Sequence, residues 1–210
     1  MSSRSKYQYR SLNRNTQEIR VLKLHPSTTS DHPIRAAVEY VCILKEPKPS
    51  YETISYTWGS PHARGTAILD GQVLDVSASA ERVLRRVRYP DEVRTVWIDA
   101  VCINQDDIEE RGQQVAMMAD IYRNTWRNIV WLGEGHADSA LALRTLATIH
   151  DQAGSETQQL QNLRDTLYDG PSFKYHTAGL PFGLSDEEVD ALLRFLAIPW
   201  FSRVWVSSAA

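Results

Sequence analysis

Three short, nearly uninterrupted apolar runs, residues 51–58, 95–98 and 128–132, are separated by stretches with helical spacing, and this alternation constrains the fold more than any other feature of the chain. Runs of this length without a polar phase are strands covered on both faces. Strands that alternate with helices join through right-handed crossovers, which predicts an α/β fold: a mostly parallel sheet flanked by helices. The helical pattern falls at Val83, Leu84 and Val87, and again over 107–124, with Val115, Met118, Ile121 and Tyr122 on one face. Two further helices are expected, one from Asp138 or Ser139 to about His150 and a weaker one over 155–168.

Earlier in the chain the pattern is different. Residues 18–24 and 36–44 alternate and read as a paired N-terminal β addition. Residues 66–69 and 72–76 flank Asp70-Gly71, whose tolerance of positive φ suits a two-residue hairpin turn. Ser77 or Ser79 caps the following helix. Near the other end, Ser185-Asp-Glu-Glu188 has capping-box spacing before Val189, Leu192, Leu193 and Leu196, and 203–206 reads as a final strand. Residues 1–18 are polar and basic, giving a domain expectation of a flexible lead-in over 1–18 and a single domain over 19–210.

The chain has 210 residues with 23 Lys and Arg against 26 Asp and Glu, a balance that does not advertise nucleic acid as a partner. No run approaches the roughly 18 apolar residues of a membrane span, and the start lacks a secretory h-region. A cytoplasmic location is the resulting expectation. Cys42 and Cys102 stand 60 residues apart in apolar segments, and the six histidines are scattered, so neither a disulfide framework nor a metal site is expected. The P-loop, zincin and serine-hydrolase elbow motifs are absent.

In a parallel sheet, ligands collect beyond the carboxyl ends of the strands. The turns that begin at Trp58-Gly59, at Asp99-Ala-Val-Cys-Ile-Asn-Gln-Asp106 and at Gly133-Glu-Gly135 are therefore expected on one rim. Tyr56, Trp58, Gly59, Asp99, Asn104, Gln105, Asp106, Arg111 and Gly133 are the candidate ligand-binding residues, with Glu110 and Glu134 as candidates for a catalytic acid. The same 99–107 segment also reads as turn and helix-cap chemistry, and the tryptophans as core.

Tyr51-Glu-Thr-Ile-Ser-Tyr-Thr-Trp-Gly59, Trp97-Ile-Asp-Ala-Val-Cys-Ile-Asn-Gln-Asp-Asp107, Glu110-Arg111 with Gln114-Val115, Met118 and Ile121-Tyr122, Val130-Trp-Leu-Gly133, and Trp200-Phe201-x-Arg203-Val-Trp205 occur in an order and spacing that resemble the fungal heterokaryon incompatibility (HET) domain. The resemblance implies a TIR-like, flavodoxin-like fold and a cytosolic allorecognition module, akin to innate immunity, whose activation leads to programmed cell death. It implies self-association, or association with other HET or NLR-type incompatibility proteins. Through the likeness to TIR domains it also implies NAD as a substrate whose nicotinamide bond is cleaved with a glutamate's help, a carboxylate stabilising the developing oxocarbenium charge. The family's Gln-Glu pair after the Arg-Val-Trp block is replaced here by Ser208-Ala209, and the domain is expected to be truncated at that end. A non-catalytic remnant that binds full-length relatives is the remaining alternative.

Overall fold

The computed structural model describes residues 5–60, 62–153 and 183–202. It divides into two compact units, residues 1–131 and 132–210. The first holds a seven-stranded sheet of order β5-β4-β2-β1-β6-β3-β7, with β1 Glu18–Leu24, β2 Ile34–Cys42, β3 Glu52–Tyr56, β4 Arg64–Leu69, β5 Gln72–Ser77, β6 Arg94–Ile98 and β7 Arg127–Trp131. Helices α1 Ala78–Val87, α2 Asp99–Cys102, α3 Ile108–Ala116 and α4 Met118–Arg123 complete it.

The fold is α/β as the sequence predicts, but the sheet is mixed rather than mostly parallel. β3 runs parallel to both β6 and β7, and β2 parallel to β4, whereas β1–β2, β1–β6 and β4–β5 are antiparallel. The reason is that the N-terminal β addition and the hairpin extend the parallel core instead of forming a separate layer. The parallel core strands lie in the order β6-β3-β7, so the first of them in the chain is the middle one. All five residues of β3 are buried, the continuous burial that a central parallel strand requires.

Local chemistry sets the elements. Asp70 and Gly71 adopt φ of 48° and 82°, closing the β4–β5 hairpin in the left-handed turn its strand twist favours. Ser77 caps α1 by accepting from the Ala80 amide, and Ala80, Val83, Leu84 and Val87 are buried. Gly65 lets α1 approach β4: a Cβ there would stand 2.9 Å from that of Glu81.

Three expectations change. Residues 5–10, read as part of a flexible lead-in, lie on the sheet: Lys6 bridges Val73 in parallel, the Tyr7 amide donates to the Val73 carbonyl at 2.8 Å, and Tyr7 is buried. Its tyrosines provide the apolar surface that a basic composition conceals. The single helix over 107–124 is two, broken at Met117, and α3 buries Glu110 and Gln114 while Val115 is exposed. Finally β7 is an edge strand among the described residues, with Val130 exposed rather than buried.

At the start of the parallel strands, Glu52 fastens all three. Arg94 of β6 donates to both its carboxylate oxygens and Arg127 of β7 donates at 2.7 Å. Burial alone would raise the Glu52 carboxyl, but the hydrogen bonds and charges of the two guanidiniums outweigh it and hold it below the ordinary carboxylate value.

The second unit packs α5 Ser139–Ala153 with α6 Asp186–Leu196 around Ile149, Leu184, Val189 and Leu192. The Ser185–Glu188 capping box is present. The expected helix over 155–168 and the strand over 203–206 lie outside the described residues.

Candidate functional site

β3, β6 and β7 are parallel, with Ile54 opposite Ile98 and Tyr56 opposite Trp131, so their carboxyl ends share one edge of the sheet. Beyond β3 and β6 lies a cleft of about 390 Å³. Its walls come from Trp58-Gly59-Ser60 after β3, from Ala100 and Asn104-Gln105-Asp106 after β6, from β5 and the start of β4, and from Lys6 and Tyr9 of the N-terminal arm.

Asp99 organises this edge. One carboxylate oxygen accepts from the Trp58 indole nitrogen at 2.9 Å and the other from the Ala100 amide at 2.7 Å, while its carbonyl accepts from the Gln105 side chain at 2.9 Å. Asp99 is buried, whereas Trp58 is 44% exposed, so a buried acid fixes the orientation of an indole that faces solvent. Gly59 has φ +71°, a conformation that favours glycine, and this turns the chain away directly after the indole. The Ser79 hydroxyl of α1 donates to the Trp58 carbonyl.

The opposite wall is set by turn chemistry. Asn104 accepts the Asp106 amide at 3.3 Å, Asp107 caps α3 through the Glu109 and Glu110 amides, and Arg111 donates to the Gln105 carbonyl at 3.1 Å. The turn and cap chemistry expected of this segment is present, and Asn104, Gln105 and Asp106 also face the cleft.

Glu110 does not line the cleft. It is buried, with one oxygen accepting from Arg20 at 2.5 Å and from the Asn104 amide at 2.7 Å, and the other accepting from Arg20 at 2.9 Å. Arg20 also donates to the carbonyls of Cys102 and Arg10. Burial disfavours the Arg20 guanidinium charge, but the Glu110 hydrogen bonds and charge outweigh that and raise its basicity. The Tyr9 hydroxyl donates to the Val101 carbonyl at 2.9 Å, and burial pushes its phenol up.

Of the candidate residues, Trp58, Gly59, Asn104, Gln105 and Asp106 line the cleft, and Asp99 and Arg111 brace it from behind. Tyr56 is buried at the end of β3. Gly133 and Glu134 belong to the second unit, where both are exposed and Gly133 turns with φ +113°. Lys6, Tyr9, Arg64 and Asp75 line the cleft without having been singled out by sequence. For Tyr9 a signal existed in the aromatic pair Tyr7 and Tyr9 within an otherwise polar, basic stretch; the other three have none. Lys6 and Arg64 balance Asp75 and Asp106, so the lining suits a polar ligand of mixed charge. Among the described residues no cluster of His, Cys, Asp or Glu could hold a metal, and no helix is long and apolar enough to cross a membrane.

Residues 51–208 match the family model described as heterokaryon incompatibility protein (HET). The chain is also 31% identical over 215 residues to heterokaryon incompatibility protein 6, OR allele, of Neurospora crassa. That alignment covers 89% of the chain and 31% of the relative, so the chain spans about a third of that protein's length. No solved structure matches.

Proposed function

Because the chain belongs to the heterokaryon incompatibility family, we propose that it acts in fungal heterokaryon incompatibility as a cytoplasmic signalling module, associating with copies of itself or with other incompatibility proteins to trigger cell death. The observation that carries this reading is the Trp58–Asp99 hydrogen bond. It joins two motif blocks 41 residues apart into one rigid, solvent-facing corner at the sheet edge, a place suited to recognition.

Induced expression in a filamentous fungus tests it. Growth arrest is expected, relieved by Trp58→Ala and Asp99→Asn at equal protein level. Normal growth with confirmed accumulation of the unaltered chain would overturn it.

Hydrolysis of NAD in the cleft is a second reading, favoured by the exposed indole beside carboxylates beyond the carboxyl ends of parallel strands. Glu110 is already committed to Arg20, so Asp75 or Asp106 would have to stabilise the ribosyl cation. Release of nicotinamide that disappears in Asp106→Asn or Asp75→Asn supports this reading, and no release by the purified chain dismisses it.

A further inference from the structure

A second cavity lies at the other edge of the first unit, where β1 ends, β2 begins and α1 gives way to the chain that enters β6. It measures about 320 Å³ and is lined by His25, Pro26, Ser27, His32, Pro33, Arg35 and Arg88. Its titratable lining is two imidazoles and two guanidiniums, without an acid.

Arg88 is 9% exposed, and an arginine so buried ordinarily meets a carboxylate. Here its donors reach only carbonyls: Thr29 at 2.9 Å, Pro33 at 3.2 Å, His32 at 3.3 Å and Ser30 at 3.5 Å. Burial and the neighbouring Arg85 charge both lower its basicity, the mark of a cation that lacks a compensating anion. The nearby acids are committed elsewhere, Glu81 to Arg85 at 2.5 Å and Asp31 to the Ser30 hydroxyl at 3.1 Å. Arg85 and Arg86 fit the usual preference for bases at a helix carboxyl end, but Arg88 stands past it. The Arg35 carbonyl accepts from the His25 amide at 2.9 Å, while its guanidinium has no hydrogen-bond or ion-pair partner among the described residues and is exposed at the mouth.

We propose that this cavity binds a phosphate monoester group. Arg88 supplies a fixed, poorly solvated positive charge and holds the loop over 29–33 in shape. Arg35 presents the free planar fork that matches phosphate oxygens, and the His25 ring, together with the His32 ring whose Nδ1 already meets the Ser27 hydroxyl at 3.1 Å, adds polar lining. A soluble phosphate and a lipid phosphate headgroup share this chemistry.

The test is calorimetric titration of the full chain at low ionic strength with inorganic phosphate, and in parallel with vesicles containing phosphatidic acid. Saturable binding is expected, weakened about tenfold or more by Arg35→Ala, since a charge-assisted hydrogen bond is lost. Arg82→Ala, which removes the same charge from the exposed side of α1, should leave affinity unchanged. Arg35-dependent binding to phosphate in solution identifies a soluble ligand; Arg35-dependent binding to vesicles alone identifies a headgroup. Absence of saturable binding in both arms, or equal weakening by Arg82→Ala, overturns the proposal.

Discussion

Arg20 of β1 and Glu110 of α3, 90 residues apart in sequence, form a two-point ion pair with side chains 1% and 7% exposed. The pair does more than join a strand to a helix. Arg20 also holds the Arg10 carbonyl of the N-terminal arm, and Glu110 holds the Asn104 amide, so the arm and the far wall of the cleft meet in one buried contact.

Removing one partner leaves the other buried and unmatched, so Arg20→Met or Glu110→Gln should each cost about 3–5 kcal/mol of stability. Arg20→Met combined with Glu110→Gln should cost less than the two changes added together. Urea unfolding of the three variants measures this. Simple additivity would mean that the two residues act independently.

The Glu52 clamp predicts an acid-sensitive fold. The folded carboxyl titrates below its unfolded value, so its stabilisation is complete above the ordinary glutamate range and is lost as pH falls through the folded value. Glu52→Gln should therefore lower the melting temperature at neutral pH and flatten its decline below about pH 4. Thermal melts between neutral and acid pH check both effects; parallel curves would show that another group dominates.

Cys102 is fully buried, and desolvation pushes its thiol up to about 12. Since the thiolate is the reactive form, iodoacetamide at mildly alkaline pH should leave Cys102 unmodified in the folded protein and label it at the rate of unfolding. Mass spectrometry of native and urea-treated samples decides this. Rapid native labelling would show that α2 opens locally.

Trp58→Phe keeps an aromatic ring at the cleft and deletes the indole N–H that Asp99 accepts. The partly exposed site limits the loss to about 1 kcal/mol, while the ring loses its fixed orientation. Growth arrest on induction should weaken although the protein still accumulates. Full activity would assign recognition to the ring's apolar surface alone.

Much of the scaffold could be read from the chain because the deciding chemistry is local. The Asp70-Gly71 turn, the Ser77 cap and the Ser185 capping box each depend on residues within one turn of one another. The buried β3 run was equally legible. The break at Met117 was not: apolar periodicity assigns Val115 to the core, yet α3 turns Glu110 and Gln114 inward because Arg20 and the Glu18 carbonyl wait there as polar partners. A charged residue in phase with Leu22 and Leu24 of β1 was the available clue, since Arg20 shares their strand face. Within the site, the turn residues were accessible from sequence. Lys6, Arg64 and Asp75 were not, since only the assembled sheet brings the N-terminal arm and the hairpin to the cleft.

The position of β1 between β2 and β6 has a practical consequence for choosing expression boundaries. A fragment cut to begin at β3 would retain most of the conspicuous motifs yet lack two interior strands, β1 and β2. It would expose the flank of β6 to intermolecular pairing and strand Glu110 without its cation. Such a fragment should be recovered as aggregate or degraded by protease, and its inactivity in cells would say nothing about the motifs it carries.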